Sequence, residues 1–207
     1  MGGDEAELRA VTLEGWARFT VDLCRRARQR PVVLAGHSRG GVVIGPAAEA
    51  APESIDALVY ICALMLPDGM SRAAFKKLEE PNPRFDEIII PVYGDAGTIV
   101  DPVMAPQVFA QLSPPGKVAD AMDRLVAEPK GPRETALRLT PERFGRIART
   151  YVECTQDRTI PLSSQRLMQK LVLGAEVVTL DADHSPFLSC PRELAQALIE
   201  AAERVSS

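Results

Sequence analysis

Histidine and tryptophan are scarce in this chain of 207 residues, with two of the first and one of the second, and aromatic residues make up only 5%. Excess positive charge is missing as well. Lys and Arg number 24 against 28 Asp and Glu, a formal net charge of -4, which removes the electrostatic basis for binding nucleic acid or an anionic membrane. No window approaches the roughly 18 consecutive apolar residues that a membrane span needs. The first ten residues, MGGDEAELRA, have neither the basic start nor the apolar stretch of a secretory leader, so a cytoplasmic location is expected. Cys24, Cys62, Cys154 and Cys190 lie far apart with no C-x-x-C pair, which argues against a disulfide framework or a zinc site, and no structural metal is expected. What the chain does have is 46% apolar residues, enough for one sizeable core.

That apolar content is patterned. From Thr12 to Gln29, Leu13, Trp16, Ala17, Leu23, Cys24 and Ala27 recur at helical spacing, and Arg25, Arg26 and Arg28 complement the dipole at the C-terminal end. PVVLA (31–35) and ALVYICAL (57–64) are apolar on both faces, as parallel strands sandwiched between helical layers are. RTYVEC (149–154) and AEVVTL (175–180) follow, separated by the helical SSQRLMQKLVL, and RELAQALIEAAERV closes the chain as another helix. Strands alternating with helices predict an α/β fold with a mostly parallel sheet covered on both sides. The segment from about Pro67 to Pro141 breaks the rhythm and holds 11 of the 17 prolines. FDEIIIPV (85–92) and VMAPQVFAQL (103–112) carry too much apolar surface to stay solvated. The expectation is one domain, 1–207, with a cap inserted at 67–140.

Gly36-His37-Ser38-Arg39-Gly40 is a G-x-S-x-G pentapeptide that follows a strand and opens a helix. By itself the pattern is weak; its context makes it specific. A serine on so sharp a turn needs small neighbours, which Gly36 and Gly40 would supply. The turn would raise the Ser38 hydroxyl above the sheet and aim the backbone N–H of Arg39 at a developing oxyanion. A hydroxyl needs a base. His37 is built into the turn, which leaves His184, in LDADHSPFLSCP after the last strand, as the candidate. Asp157, in YVECTQDRTIP after the preceding strand, is the candidate carboxylate to orient the imidazole, and Asp68 is its positional competitor. Asp181 and Asp183 are too near His184 in sequence to reach round its ring easily. The order Ser38, Asp157, His184 is a hydrolase order.

VVLAGHSRGG, ALVYICALMLPDG, ERFGRIARTYVECTQDRTIP and DADHSPFLSCPREL, in that order, resemble the α/β-hydrolase superfamily, and within it the branch of salicylate-binding methylesterases and hydroxynitrile lyases. The resemblance runs from about Val11 to the C-terminus. It implies the α/β-hydrolase fold, catalytic roles for Ser38, Asp157 and His184, an oxyanion role for the Arg39 amide, and no cofactor. It also implies a cap over an apolar pocket, and with Phe75, Phe85, Phe109 and several methionines in that region the expected substrate is a small hydrophobic ester or lactone. Lyases of this branch carry a lysine directly after the base histidine; Ser185 stands there, which favours ester hydrolysis.

Two departures from the family pattern carry expectations. Pro46 should kink the helix after the turn. The family also places several strands, one followed by a loop that gives a second oxyanion N–H, before the first helix read here. Without them the PVVLA strand becomes an open edge that favours a homodimer. Loss of one oxyanion donor costs about 10²- to 10³-fold in turnover. A truncated, ligand-binding protein and a lyase using the same three residues are therefore the alternatives to an esterase.

Overall fold

The computed structural model describes residues 4–27 and 32–206. Arg28, Gln29 and Pro31 of the sequence expectations lie outside them, as do Met1 to Gly3. Asp4 caps α1 (Glu5–Ala10), accepting from the Glu7 amide while the Glu7 carboxylate accepts from the Asp4 amide. Thr12 caps α2 (Leu13–Arg25), whose buried face of Leu13, Ala17, Val21 and Cys24 follows the helical spacing.

The remaining elements of the α/β body are β1 (Val33–His37), α3 (Gly41–Ala50) and β2 (Ala57–Ile61), then, past the Pro-rich segment, β6 (Ala148–Cys154), α9 (Leu162–Leu171), β7 (Ala175–Leu180), α10 (Pro186–Ser189) and α11 (Pro191–Ser206). The four strands form a parallel sheet in the order β1-β2-β6-β7. Side-chain alternation on β2 explains why both of its faces are apolar. Leu58 and Tyr60 point into a core shared with α2, α3 and α9, while Val59 and Ile61 point into a second core closed by Leu194, Ala197 and Ala201 of α11. The strand ends at Ile61, three residues before the apolar run does, because Cys62 turns to φ 35°. Pro46 lies inside α3, which runs from Gly41 to Ala50.

Between β2 and β6 lies a second, antiparallel sheet in the order β3-β4-β5, made of β3 (Ile89–Val92), β4 (Gly97–Val100) and β5 (Glu128–Pro129). It is accompanied by the short helices α4 (Arg72–Phe75), α5 (Pro83–Asp86), α6 (Ala105–Phe109), α7 (Pro115–Met122) and α8 (Gly131–Glu134). Ile88, Ala105 and Val108 form its own small core, against which Phe85, Phe109 and Met122 pack. Phe75 is instead wholly buried in the main core. Among the described residues no helix is long and apolar enough to cross a membrane.

Candidate active site

β1 ends at His37, and the chain turns abruptly through Ser38 (φ 53°) into a 3₁₀ turn, Ser38–Gly40, that opens α3. A positive φ at serine is a strained conformation costing on the order of 1–3 kcal/mol, held only where the surroundings fix it. Two of those surroundings are visible. The Leu64 amide donates to the Ser38 carbonyl at 3.0 Å, and a Cβ on Gly41 would come within 2.5 Å of the Leu64 carbonyl oxygen. Gly36 is equally constrained, since a Cβ there would lie 2.9 Å from the Gly40 backbone. Gly40 is not: a Cβ on it meets nothing within 4 Å. The second small residue the turn requires is thus Gly41, one position later than the pentapeptide indicates.

The Ser38 hydroxyl lies 2.8 Å from His184 Nε2, and His184 Nδ1 lies 2.7 Å from Asp157 Oδ2. A carboxylate only accepts, so Nδ1 carries the hydrogen and Nε2 is left to accept from Ser38. Asp157 and His184 are both buried. The other carboxylate oxygen, Asp157 Oδ1, accepts from the amides of Thr159 (2.7 Å) and Ile160 (2.9 Å), which fix its plane toward the imidazole. The structure brings these three residues together from three different strand ends. It takes Asp68 elsewhere, to accept from the Leu139 amide at 2.8 Å, and Asp181 to the Thr155 hydroxyl and the Gln156 amide side chain.

Two neighbours hold the base by its backbone. His37 Nε2 donates to the His184 carbonyl at 2.6 Å, its ring 4.6 Å from the His184 ring and edge-on to Phe187, and the Cys62 thiol donates to the same oxygen at 3.5 Å. Burial, reinforced by the nearby His184, pulls the His37 pKa down to about 3, so this ring stays neutral. Burial likewise pushes the Cys62 thiol well up. Donor atoms of His37, Cys62 and His184 lie within 4.8 Å of one another, a spacing that invites the thought of a metal. The hydrogen bonds just described already engage all three residues, with the His184 carbonyl between His37 and Cys62, so the group fits a packed relay better than a metal cradle.

Arg39 lies in the first turn after β1, where amides have no partner one helical turn back. Its side chain leaves the site and pairs with Glu128 of β5, while Nη1 reaches the Pro129 carbonyl at 3.5 Å, tying the serine turn to the second sheet. Desolvation draws the Arg39 guanidinium below its usual range and lifts Glu128 above its own, and their mutual attraction opposes both shifts. Sequence reasoning missed His37, Glu128 and Asp183 as neighbours that hold the site. For Asp183 a signal existed in the D-x-S spacing, which places the Ser185 amide 3.0 Å from its carboxylate.

A parallel sheet covered by helices on both faces, with a strained serine between strand and helix, defines an α/β-hydrolase. Residues 2–197 match the Alpha/beta hydrolase family, and the chain belongs to it. It is similar to the pyrethroid hydrolase of Sphingobium wenxiniae, 31% identical over 216 residues that cover 97% of this chain and 74% of the relative. It is also similar to salicylic acid-binding protein 2 of Nicotiana tabacum, 31% identical over 188 residues covering 84% of this chain and 71% of that protein. Among solved structures, a pyrethroid hydrolase from Sphingobium faniae superposes with a TM-score of 0.86 at 30% identity, covering 97% of this chain and 81% of the other.

Proposed function

We propose that the protein is a serine carboxylic-ester hydrolase acting on a small hydrophobic ester. The observation that carries this reading is the continuous relay from Ser38 to His184 to Asp157, at 2.8 and 2.7 Å. Ser38 Oγ attacks the ester carbonyl carbon as its proton passes to His184 Nε2. Asp157 holds the ring and stabilises the imidazolium, and the Arg39 amide donates to the oxyanion. Collapse of the tetrahedral intermediate expels the alcohol, which takes the proton from His184 and leaves an acyl group on Ser38. Water, deprotonated by the same imidazole, then releases the acid and restores the serine.

The names of the relatives, a pyrethroid hydrolase and a salicylic acid-binding protein among them, concern those proteins and support the ester class here. Ser185, whose amide is bound to Asp183, stands where a lyase of this branch would place a lysine, so hydrolysis is favoured over cyanohydrin cleavage. The segment 67–140 is read as a cap within a single 1–207 domain, with Phe109 presenting its ring 5.8 Å from that of His184. The wide sequence spacing of Cys24, Cys62, Cys154 and Cys190, with no C-x-x-C pair, supports a reducing, cytoplasmic setting.

Short-chain p-nitrophenyl esters test the reading. Ser38→Ala lowers kcat by at least about 10⁴-fold while leaving the melting temperature nearly unchanged. Hydrolysis that persists in this variant refutes it, as does binding of the ester without turnover by the unaltered protein.

A further inference from the structure

Asp183 precedes the candidate base yet turns away from its ring, and the carboxylate is fully buried. Oδ1 accepts from the Ser185 amide at 3.0 Å, in its own loop, and the Ser189 hydroxyl at 2.9 Å, at the end of α10 that follows it. Oδ2 accepts from the Leu112 amide at 2.8 Å and the Ser113 hydroxyl at 3.1 Å, which belong to the segment following α6. All four donors are uncharged. A buried carboxylate is costly unless its lone pairs are filled, and two of the four donors here come from the far side of the sequence. A turn residue would need only the Ser185 contact; the Leu112 and Ser113 contacts exist only while the two segments are docked.

The docked segment also touches the rest of the site. Arg158 Nη1 donates to the Gln107 carbonyl at 2.8 Å and Gln111 Nε2 to the Gln156 carbonyl at 2.6 Å, which joins it to the loop carrying Asp157. Phe109 lies between these attachments, its ring facing His184. The stretch from Ala105 to Ser113 therefore spans from the acid loop to the base loop, and its far end is fastened by one buried charge.

We propose that Asp183 is a positioning residue that latches the stretch Ala105 to Ser113 onto the His184 loop, and so sets the wall of the substrate site that Phe109 provides. The proposal rests on the reading of Ser38, His184 and Asp157 as the reacting groups. Asp183 touches no reacting atom; it acts through the segment it holds.

Ser113→Ala and Ser189→Ala make a matched pair, each removing one hydroxyl donor from the same carboxylate, one from the docked segment and one from α10, which follows the His184 loop. Asp183→Asn is the stronger variant, because an amide presents N–H groups where it must accept. With p-nitrophenyl butyrate, Ser113→Ala raises KM about threefold to tenfold and Asp183→Asn about tenfold or more, with kcat held within about twofold. Ser189→Ala leaves KM unchanged. Hydrogen exchange of the 105–113 peptide is faster in Ser113→Ala and Asp183→Asn and unchanged in Ser189→Ala. Equal behaviour of the two serine variants in KM and exchange overturns the proposal, and so does faster exchange with unaltered KM. Should the unaltered protein turn over no ester, the esterase reading fails on its own, and the exchange rates still decide whether the latch exists.

Discussion

Ser38 and His37 are adjacent, yet their side chains reach His184 in different ways. Ser38 meets the imidazole at Nε2, and His37 binds the His184 main chain. The second contact has a consequence for stability. The His37 pKa falls from 6.5 to about 3 on folding, chiefly through burial. In that window an unfolded chain takes up a proton at this ring that the folded chain refuses, so stability declines as pH falls from about 6.5 toward 3. The slope from this one group is at most about 1.4 kcal/mol per pH unit. Urea midpoints measured from pH 7 to pH 4 therefore fall less steeply in His37→Gln than in the unaltered protein. Parallel curves would show that the ring titrates normally.

At the scale of the elements, the turn into α3 depends on where small residues stand. Gly41 faces the Leu64 backbone, so Gly41→Ala forces a main-chain shift and destabilises the fold by about 3 kcal/mol or more. Gly40 has helical φ and ψ of -52° and -24° with open space at the Cβ position, so Gly40→Ala stabilises by about 0.4–1 kcal/mol through the unfolded state. Denaturant midpoints of the two variants move in opposite directions; a loss in both would mean that the turn is not held as described. β2 was legible because burial on both faces writes an unbroken apolar run, whereas β6 and β7 were legible from β-branched and apolar residues set among polar ones. AEVVTL is β7 at Ala175–Leu180, and RTYVEC is β6 with Ala148 added. β3 and β4 were not legible. Pro91 interrupts the first of them, and the pair is joined by a turn with Tyr93 at φ 50° and Gly94 at φ 69°, a conformation that tyrosine hardly signals. The candidate triad was legible from order and strand ends, since few imidazoles and few loop carboxylates compete. The role given to Asp183 was hidden, because its partners at Leu112 and Ser113 lie about 70 positions away and only the fold brings them close.

Across the whole molecule, the α/β body and the intervening segment are joined at several separate points. Arg39 reaches Glu128, Asp183 accepts from Leu112 and Ser113, and Glu49 accepts from the amide and hydroxyl of Thr140. Polar links at separate points, one of them to the buried Asp183, make the two parts unfold together. Denaturation followed by Trp16 fluorescence, which reports on α2, and by far-ultraviolet circular dichroism gives coincident transitions. An earlier transition in circular dichroism alone would mark the segment as an independent unit. β1 is an edge strand of the sheet among the described residues. The central claim is that this framework activates Ser38. Intact-mass measurement after treatment with a fluorophosphonate tests it most directly, run beside Ser38→Ala. One adduct per chain that disappears in the variant is the predicted result, because a phosphonate is captured only by a serine with a working base and oxyanion donor. No adduct on the folded protein, or one that survives in Ser38→Ala, would contradict it.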